Sequence, residues 1–322
     1  MLYSLVKIAI RVAGILFFNK RIVQQRKFLN QEGPLLIAAN HPNSFLDAVV
    51  LAMLFKRPIW SLARGDAFKK KWHRYLLTHL KLLPVYRERE GVENLGINYQ
   101  TFDACKQIFK NNGIVLIFSE GLCVNEWHLR PLKKGTARLA ISCWKEGIPL
   151  KVLPVGLNYS SFKKWGKNVF INLAPPISAN GFDLTSTDGQ LNLAFTTTLK
   201  QALAPLVMEI PTTDTTLQQK MLSVPTPLWV KIVLLLPALL GYVLHAPLYW
   251  CIQVVSRKKV KEPAHYDSLM LAYLLLTYPC YLLVMALAAY AVTGSGYAWA
   301  SLLVLPFLAW CVVKVKPHTD RG

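Results

Sequence analysis

The chain has 322 residues, of which 53% are hydrophobic, and its mean hydropathy is +0.31. A chain of this length can bury one soluble core, and the apolar residues left over predict contact with a membrane. The formal net charge of +20 favours anionic partners, which include nucleic acids, acidic lipid surfaces and phosphorylated substrates. The basic residues are spread among apolar segments and form none of the usual nucleic-acid-reading motifs, so we expect no nucleic-acid partner.

The first 20 residues are predicted to form a helix at the membrane interface. Lys7 and Arg11 interrupt the apolar run, four residues apart on one helical face, and no small-residue cleavage site follows them. That pattern argues against a removable signal peptide. The alternative is a helix packed on the protein's own core.

Residues 21–224 are predicted to form an α/β domain with a mixed central sheet flanked by helices, because strands and helices alternate along them. The domain ends with a peripheral helix and a linker. Gly and Pro turns bound many of the elements. The predicted strands are 35–39, 59–62, 83–86, 114–118 and 152–157, and the predicted helices are 44–55, 68–83, 99–110 and 135–145. Polar residues follow several strand ends, which predicts a shared cleft there.

Residues 225–322 are predicted to be a helical membrane region. Residues 269–292 and 297–313 are apolar and long enough to span a hydrocarbon core of roughly 30 Å. A full span over residues 227–255 would place the basic run 257–261 on the side opposite to the basic domain, against the positive-inside rule.

A re-entrant hairpin over residues 227–255 resolves that conflict. Pro237, Gly241, His245 and Pro247 lie near its middle. A bend there would return the chain to its starting side, and the two following spans would bring the C-terminus back as well. We therefore expect an integral membrane protein whose α/β domain lies on the cytoplasmic face.

The six cysteines form neither a C-x-x-C pair nor a close cluster, and half of them lie in or beside apolar runs. We expect reduced, structural thiols and no metal site. No bound cofactor is expected either.

His41 and Asp47 are the candidate reactive residues. The strand that ends at Ala39 runs directly into Asn40 and His41, and Pro42 favours extended backbone at His41, which is therefore predicted to precede the helix. Asp47 then lies in the first helical turn, where the corner lets its carboxylate meet the imidazole. A histidine oriented by a carboxylate is suited to general-base catalysis. The alternative is a core histidine beside a helix-capping aspartate.

Four stretches, in this order, resemble the motifs of the phospholipid/glycerol acyltransferase family, to which PlsC belongs. They are Asn40-His41-Pro42-Asn43-Ser44-Phe45-Leu46-Asp47, Leu83-Pro84-Val85-Tyr86-Arg87, Phe118-Ser119-Glu120-Gly121 and Leu153-Pro154-Val155. The resemblance implies an O-acyltransferase of phospholipid biosynthesis, in which His41 is the base and Asp47 orients it. The implied donor is an acyl thioester, either acyl-CoA or acyl-carrier protein, and the acceptor is a phosphate-bearing glycerol.

The resemblance also implies residues that bind the acceptor. Arg87 matches the arginine that binds the acceptor's phosphate in the family, and its alternative is a surface ion pair with a neighbouring glutamate. Glu120 is expected to accept hydrogen bonds from acceptor hydroxyls beside Gly121, and its alternative is an ion pair with Lys133. Asn40 is also expected to bind the substrate.

Two departures from the family pattern bear on the acceptor. Five residues separate His41 from Asp47 where most members have four, which resembles a branch of fungal-type glycerol-3-phosphate and dihydroxyacetone-phosphate acyltransferases and their bacterial relatives. Leu122-Cys123-Val124 stands where Thr-Arg-Ser is common, so Arg130, Lys133 or Lys134 is expected to replace the missing arginine. The expected acceptor is therefore glycerol 3-phosphate or dihydroxyacetone phosphate, with 1-acylglycerol 3-phosphate (lysophosphatidic acid) as the alternative.

A non-catalytic membrane scaffold is the alternative from another class. It would use the same apolar helices and basic residues to hold anionic lipid headgroups in the bilayer. A scaffold has no need of a His-Asp pair at a strand end, whereas the enzyme depends on one. No oligomeric state is predicted.

Overall fold

The computed structural model describes residues 2–86, 95–260 and 262–320. The strands are β1 (Phe18–Gln24), β2 (Leu35–Ala39), β3 (Ile59–Arg64), β4 (Leu82–Val85), β5 (Ile114–Phe118), β6 (Lys151–Tyr159) and β7 (Lys167–Leu173). The helices are α1 (Leu2–Phe17), α2 (Phe45–Leu54), α3 (Lys71–His79), α4 (Leu95–Lys110), α5 (Gly135–Lys145), α6 (Asp188–Leu203), α7 (Thr215–Leu222), α8 (Leu228–Lys259), α9 (Tyr266–Thr293) and α10 (Ser301–Val315).

The seven strands form one mixed sheet in the order β1-β7-β6-β2-β5-β3-β4. Strand β2 is parallel to both β5 and β6, and β3 is parallel to β4 and β5. The carboxyl ends of these five strands therefore share one edge of the sheet. Strand β7 runs antiparallel to β6, which makes the sheet mixed. The predicted α/β architecture is confirmed.

Two apolar layers cover the sheet, and alternate residues of β2 point into each. Leu35 and Ile37 belong to a core shared with α1, α2 and the start of α9. Leu36 and Ala38 belong to a second core shared with α4, α5 and α6. All five residues of β2 are fully buried, as the continuous apolar run predicted. The central strand is thereby fixed between two helical layers.

Helix α1 presents an apolar rather than a basic face to its surroundings. Lys7 is buried, and its Nζ donates to the carbonyls of Phe55 (2.7 Å) and Lys56 (3.0 Å), just beyond the end of α2. Arg11 Nε donates to Met53 O at 3.2 Å. Both cations therefore satisfy carbonyls at the C-terminal end of α2. The exposed face is Leu2, Leu5, Ile8, Val12 and Ile15.

Three helices among the described residues are long and apolar enough to cross a membrane, judged by length and composition. They cover Leu228–Lys259, Pro263–Thr293 and Gly296–Val315. Helix α8 is continuous through Pro237 and Pro247, so the break that a re-entrant hairpin requires is absent from it. Each proline removes one backbone donor, but the helix continues across both.

Both ends of α8 lead to segments that contact the sheet domain. Before it, Leu222 O accepts a hydrogen bond from Asn168 Nδ2 at 3.2 Å. Beyond its end, His265 lies 2.5 Å from Ser44 Oγ. Near its middle, Tyr249 packs against Trp165 of the β6–β7 loop, with ring centroids 5.7 Å apart. Helix α8 therefore lies along the domain.

Candidate active site

His41 and Asp47 meet at the corner between β2 and α2. Because β2 ends at Ala39 and α2 begins at Phe45, His41 precedes the helix and Asp47 occupies its first turn, as the pre-proline position predicted. His41 Nδ1 lies 2.8 Å from Asp47 Oδ2. The imidazole stacks on Phe118 at the end of β5, with ring centroids 3.8 Å apart.

The carboxylate of Asp47 is fully buried and has two further donors. Asn43 N donates to its Oδ2 and the Tyr159 hydroxyl donates to its Oδ1, both at 2.8 Å. Burial, together with the charge of Asp47, raises the pKa of Tyr159, so its hydroxyl stays a donor. Three donors thus fix the carboxylate relative to the imidazole.

Glu120 supports the backbone of the site from the end of β5. Its Oε2 accepts from His41 N at 2.9 Å and its Oε1 accepts from Arg130 N at 3.0 Å. Burial raises the pKa of Glu120 to about 7, against the opposing effect of these two backbone N–H groups. Both oxygens are directed at backbone, so neither expectation from the sequence, acceptor hydroxyls or an ion pair with Lys133, matches the observed contacts. Glu120 positions the main chain of His41.

Residues that follow Glu120 hold the rest of the turn. Val124 N donates to His41 O at 3.3 Å, and Asn125 Nδ2 donates to Pro42 O at 2.7 Å. Cys123 Sγ accepts from Ser44 N at 2.9 Å. Burial raises the pKa of this thiol, which remains a neutral acceptor. Cys123, which departs from the family pattern, therefore helps to hold the turn at Ser44.

Asn40 lies in the sheet rather than in the cleft. It is 2% exposed, its Nδ2 donates to Leu157 O at 3.0 Å, and its Oδ1 accepts from Leu157 N at 2.7 Å. The side chain extends the pairing of β2 with β6 by one position. The expectation that Asn40 binds substrate is therefore corrected, because its polar groups are already used.

Tyr86, which directly precedes Arg87, is held on two sides. Asn98 exchanges two hydrogen bonds of 2.8 Å with its backbone, and its ring covers Gly65, to whose carbonyl its hydroxyl donates at 3.1 Å. A methyl group on Gly65 would lie 2.1 Å from the ring. Arg87 itself lies outside the described residues, and its role remains a prediction.

The basic residues expected to replace the missing arginine differ in their surroundings. Arg130 Nη1 donates to Glu126 at 2.6 Å, so its guanidinium already has an anionic partner. Lys133 and Lys134 are exposed. Gly121 has φ +65°, and a methyl group there would lie 3.0 Å from Lys133 Cγ. The Lys133 stem thus passes over the glycine beside Glu120.

The described parts of the chain contain no group of three or more His, Cys, Asp or Glu side chains placed to hold a metal ion. The cysteines within these ranges are all free thiols, and Cys105, Cys143 and Cys311 are buried. The chemistry that the site offers is that of the His41–Asp47 pair.

Two comparisons find proteins similar to this chain. A family model described as Acyltransferase matches residues 20–158, which run from within β1 to one residue before the end of β6. The crystal structure of the 1-acyl-sn-glycerophosphate (LPA) acyltransferase PlsC from Thermotoga maritima aligns with 60% of this chain and 77% of its own, at 14% identity and a TM-score of 0.39. A search of curated proteins finds no match.

The matched segment contains the described partners of His41, which are Asp47, Phe118, Glu120 and Val124. Tyr159, which donates to Asp47, lies one residue beyond it. Residues 20–158 therefore form an acyltransferase domain, similar to those of the phospholipid/glycerol acyltransferase family. Members of this family use acyl thioester donors.

Proposed function

We propose that the chain transfers a fatty acyl group from acyl-CoA or acyl-carrier protein to a hydroxyl of glycerol 3-phosphate or dihydroxyacetone phosphate. The observation that carries the acyl-transfer chemistry is the 2.8 Å contact between His41 Nδ1 and the buried Asp47 carboxylate. The product would enter phosphatidic acid and phospholipid biosynthesis. The family assignment supports the reaction class, and the spacing of the first motif supports the acceptor.

His41 is the general base in this proposal. Because Asp47 accepts from Nδ1–H, Nε2 is the ring nitrogen that takes the proton of the acceptor hydroxyl. The resulting oxygen attacks the thioester carbonyl, the C–S bond breaks, and the imidazolium returns its proton to the leaving thiolate. Asp47 stabilises the imidazolium between the two proton transfers. A positioned base of this kind contributes about 10²- to 10⁴-fold to the rate.

The acceptor's phosphate is assigned to Arg87, with Lys133 as the second cation. A guanidinium binds two phosphate oxygens at once, which holds the acceptor hydroxyl against the base and lowers the entropic barrier. Support comes from Tyr86, whose backbone and ring are both held where the chain enters Arg87. Lys133 is included because it is exposed beside Glu120.

Membrane association is supported by the apolar helices α8, α9 and α10 and by the exposed apolar face of α1. We place the acyltransferase domain on the cytoplasmic face, where the thioester donors are. The basic residues at the end of α8 and after α10 are expected on that face too.

The test is a panel of acceptors and donors offered to the purified enzyme, with products identified by mass spectrometry. The acceptors are glycerol 3-phosphate, dihydroxyacetone phosphate and 1-acylglycerol 3-phosphate, and the donors are palmitoyl-CoA and palmitoyl-carrier protein. We expect acylation of the unacylated acceptors. A strong preference for 1-acylglycerol 3-phosphate would assign the enzyme to the second acylation step instead.

His41→Ala is the mechanistic variant, and His79→Ala is its control, because His79 is exposed on α3 and its described hydrogen bond is to Tyr75 O of the same helix. We expect His41→Ala to lose about 10²- to 10⁴-fold in kcat and His79→Ala to keep its activity. Unchanged turnover in His41→Ala would overturn the mechanism. A wild-type chain that binds anionic vesicles but acylates nothing would favour the scaffold.

A further inference from the structure

The start of α9 packs directly on the turn that carries the active site. Ser268 Oγ accepts from Leu46 N at 3.0 Å and donates to Asn43 O at 3.3 Å. One residue earlier, Asp267 Oδ2 accepts from Asn43 Nδ2 at 2.8 Å. These contacts join a candidate membrane helix to residues 43–46, between the base and its carboxylate.

Asp267 is anchored in turn to the sheet. Lys167 Nζ, at the start of β7, donates to the same Oδ2 that Asn43 approaches. The lysine side chain is 0% exposed and the aspartate side chain is 1% exposed. Either ion, left in this interior without the other, would strongly destabilise the fold. The pair therefore ties the start of α9 firmly to the domain, although neither residue lies in a family motif.

Asn43 transmits this anchoring to the reactive pair. Its backbone N–H donates to Asp47 Oδ2, the same oxygen that lies 2.8 Å from His41 Nδ1. A carboxylate can only accept hydrogen bonds, so Asp267 requires the NH₂ end of the Asn43 side-chain amide to face it. A continuous series of contacts thus runs from Lys167 through Asp267, Asn43 and Asp47 to His41.

The neighbouring Ser44 shows why this turn needs external support. It has φ +52° and ψ −137°, a backbone conformation that is unfavourable for a residue with a side chain. Its N–H donates to Cys123 Sγ, and its Oγ lies 2.5 Å from His265 Nδ1. Residues from two different parts of the chain therefore hold the turn in a conformation that it would not keep by itself.

We propose that Asp267, fixed by Lys167, is a positioning residue for the His41–Asp47 pair, supplied by the membrane region. Acyl transfer then depends on the docking of α9 onto the domain, and it weakens when Asn43 loses its acceptor. This inference rests on the function proposed above, and it extends the site beyond the family motifs.

Two double variants separate positioning from folding. Lys167→Met with Asp267→Asn leaves a neutral pair in which the new amide oxygen still accepts from Asn43. Lys167→Met with Asp267→Leu leaves an apolar pair of similar volume with no acceptor. Neither contains an unpaired buried charge, so both are expected to fold, with a lower thermal midpoint for the Met/Leu variant because the buried Asn43 amide has lost its acceptor.

The measurements are kcat, KM for both substrates, and the rate at which diethyl pyrocarbonate modifies His41, followed by mass spectrometry of the peptide. We expect the Met/Leu variant to lose about 10- to 100-fold in kcat relative to the Met/Asn variant, because small displacements of a base are costly. KM should stay the same, and His41 should be modified faster in the Met/Leu variant.

Equal kcat and equal His41 modification in the two variants, both measured folded below their thermal midpoints, would overturn the positioning role. The modification rate needs no turnover, so it tests positioning even if the acceptor assignment is wrong. His41→Ala tests the proposed function separately. If His41→Ala is active while the two Asp267 variants still differ in the modification rate of their His41, the general-base mechanism is wrong and the positioning contact remains supported.

Discussion

The carboxylate of Glu120 accepts the backbone N–H of His41 at 2.9 Å, which links the residue that follows β5 to the base that follows β2. The two motifs that contain these residues are 79 positions apart along the chain. Their order in the sequence reflects a direct contact at the shared edge of parallel strands. Glu120 of the third motif therefore holds the first motif in place through the backbone N–H of His41.

Glu120→Gln tests this contact through the pH dependence of stability. The folded chain holds the Glu120 proton more tightly than the unfolded chain, since its pKa is raised from 4.5 to about 7. The stability contributed by this proton is therefore present below about pH 4.5 and is lost as the pH rises through about 7. Thermal unfolding in detergent between pH 5 and 8 measures it.

The difference in unfolding free energy between wild type and Glu120→Gln should shrink, by on the order of 2 kcal/mol, from pH 5 to pH 8. The glutamine cannot titrate, and its amide NH₂ opposes a backbone N–H at every pH. A difference that stays constant with pH would show that Glu120 is not the titrating group.

Asp47→Asn and Tyr159→Phe form a matched pair of variants. Asp47→Asn removes the charge that stabilises the imidazolium and should lower kcat by about 10²- to 10⁴-fold. Tyr159→Phe removes one donor to Asp47 Oδ1 but leaves the His41 contact. It should cost about 2 kcal/mol of stability and keep most of the turnover. Steady-state kinetics and thermal unfolding distinguish the two, and the reverse pattern would contradict the assigned roles.

Gly65→Ala tests the acceptor-binding side of the cleft. The added methyl group would lie 2.1 Å from the Tyr86 ring and would displace it. Because Tyr86 directly precedes Arg87 in the chain, we expect the arginine's placement to be disturbed as well. KM for the phosphate-bearing acceptor should rise by about tenfold, as it should in Arg87→Ala, while KM for the thioester is unchanged. Gly189→Ala is the control, because no atom lies within 4 Å of the added carbon there. A rise in the donor KM alone would assign this side to the thioester.

A cysteine at Lys259 tests the topology of α8. Because the segments before and after this helix both contact the domain, we expect Lys259 on the domain's side of the membrane. In a chain with the exposed Cys251 and Cys280 replaced by serine, an impermeant maleimide should label Lys259→Cys from the same side as Lys200→Cys, an exposed position on α6. Labelling from opposite sides would show that α8 crosses the membrane completely.

The sequence predicted those elements best that are bounded by strong turn residues. The predicted strands 35–39 and 114–118 and the helix 135–145 have the observed bounds of β2, β5 and α5. Gly33-Pro34 and Asn111-Asn112-Gly113 precede the two strands, and the apolar run in each is unbroken. Local signals were sufficient there.

The strands β1 and β7 at the far edge of the sheet were missed. Strand β1 follows α1 without a Gly or Pro, and Lys20 and Arg21 break its apolar pattern. Strand β7 is fully buried although it contains Asn168 and Asn172, whose partners come from distant segments. Only tertiary contacts make these polar residues compatible with a strand.

The candidate site also contains both kinds of feature, those predictable from local sequence and those that depend on tertiary contacts. The turn between His41 and Asp47 was predictable because Pro42 restricts the backbone and the strand before it is unambiguous. Tyr159 and Asp267 were not predictable, because they reach Asp47 and Asn43 from 112 and 224 positions away. Asp267 also lies at the start of an apolar run whose composition indicates only a membrane helix.

The position of α9 has a kinetic consequence. Its first turn touches the reactive loop and its later turns expose leucine and valine, so a long acyl chain at the cleft would lie beside a surface suited to lipid. Under the proposed function, an acyl donor and its product would then partition into the bilayer while the phosphate stays in water. Their effective concentration becomes a mole fraction in the membrane. Inert detergent added to the assay dilutes the acyl donor within the lipid phase. The reaction should therefore slow although the bulk concentration of the donor is unchanged.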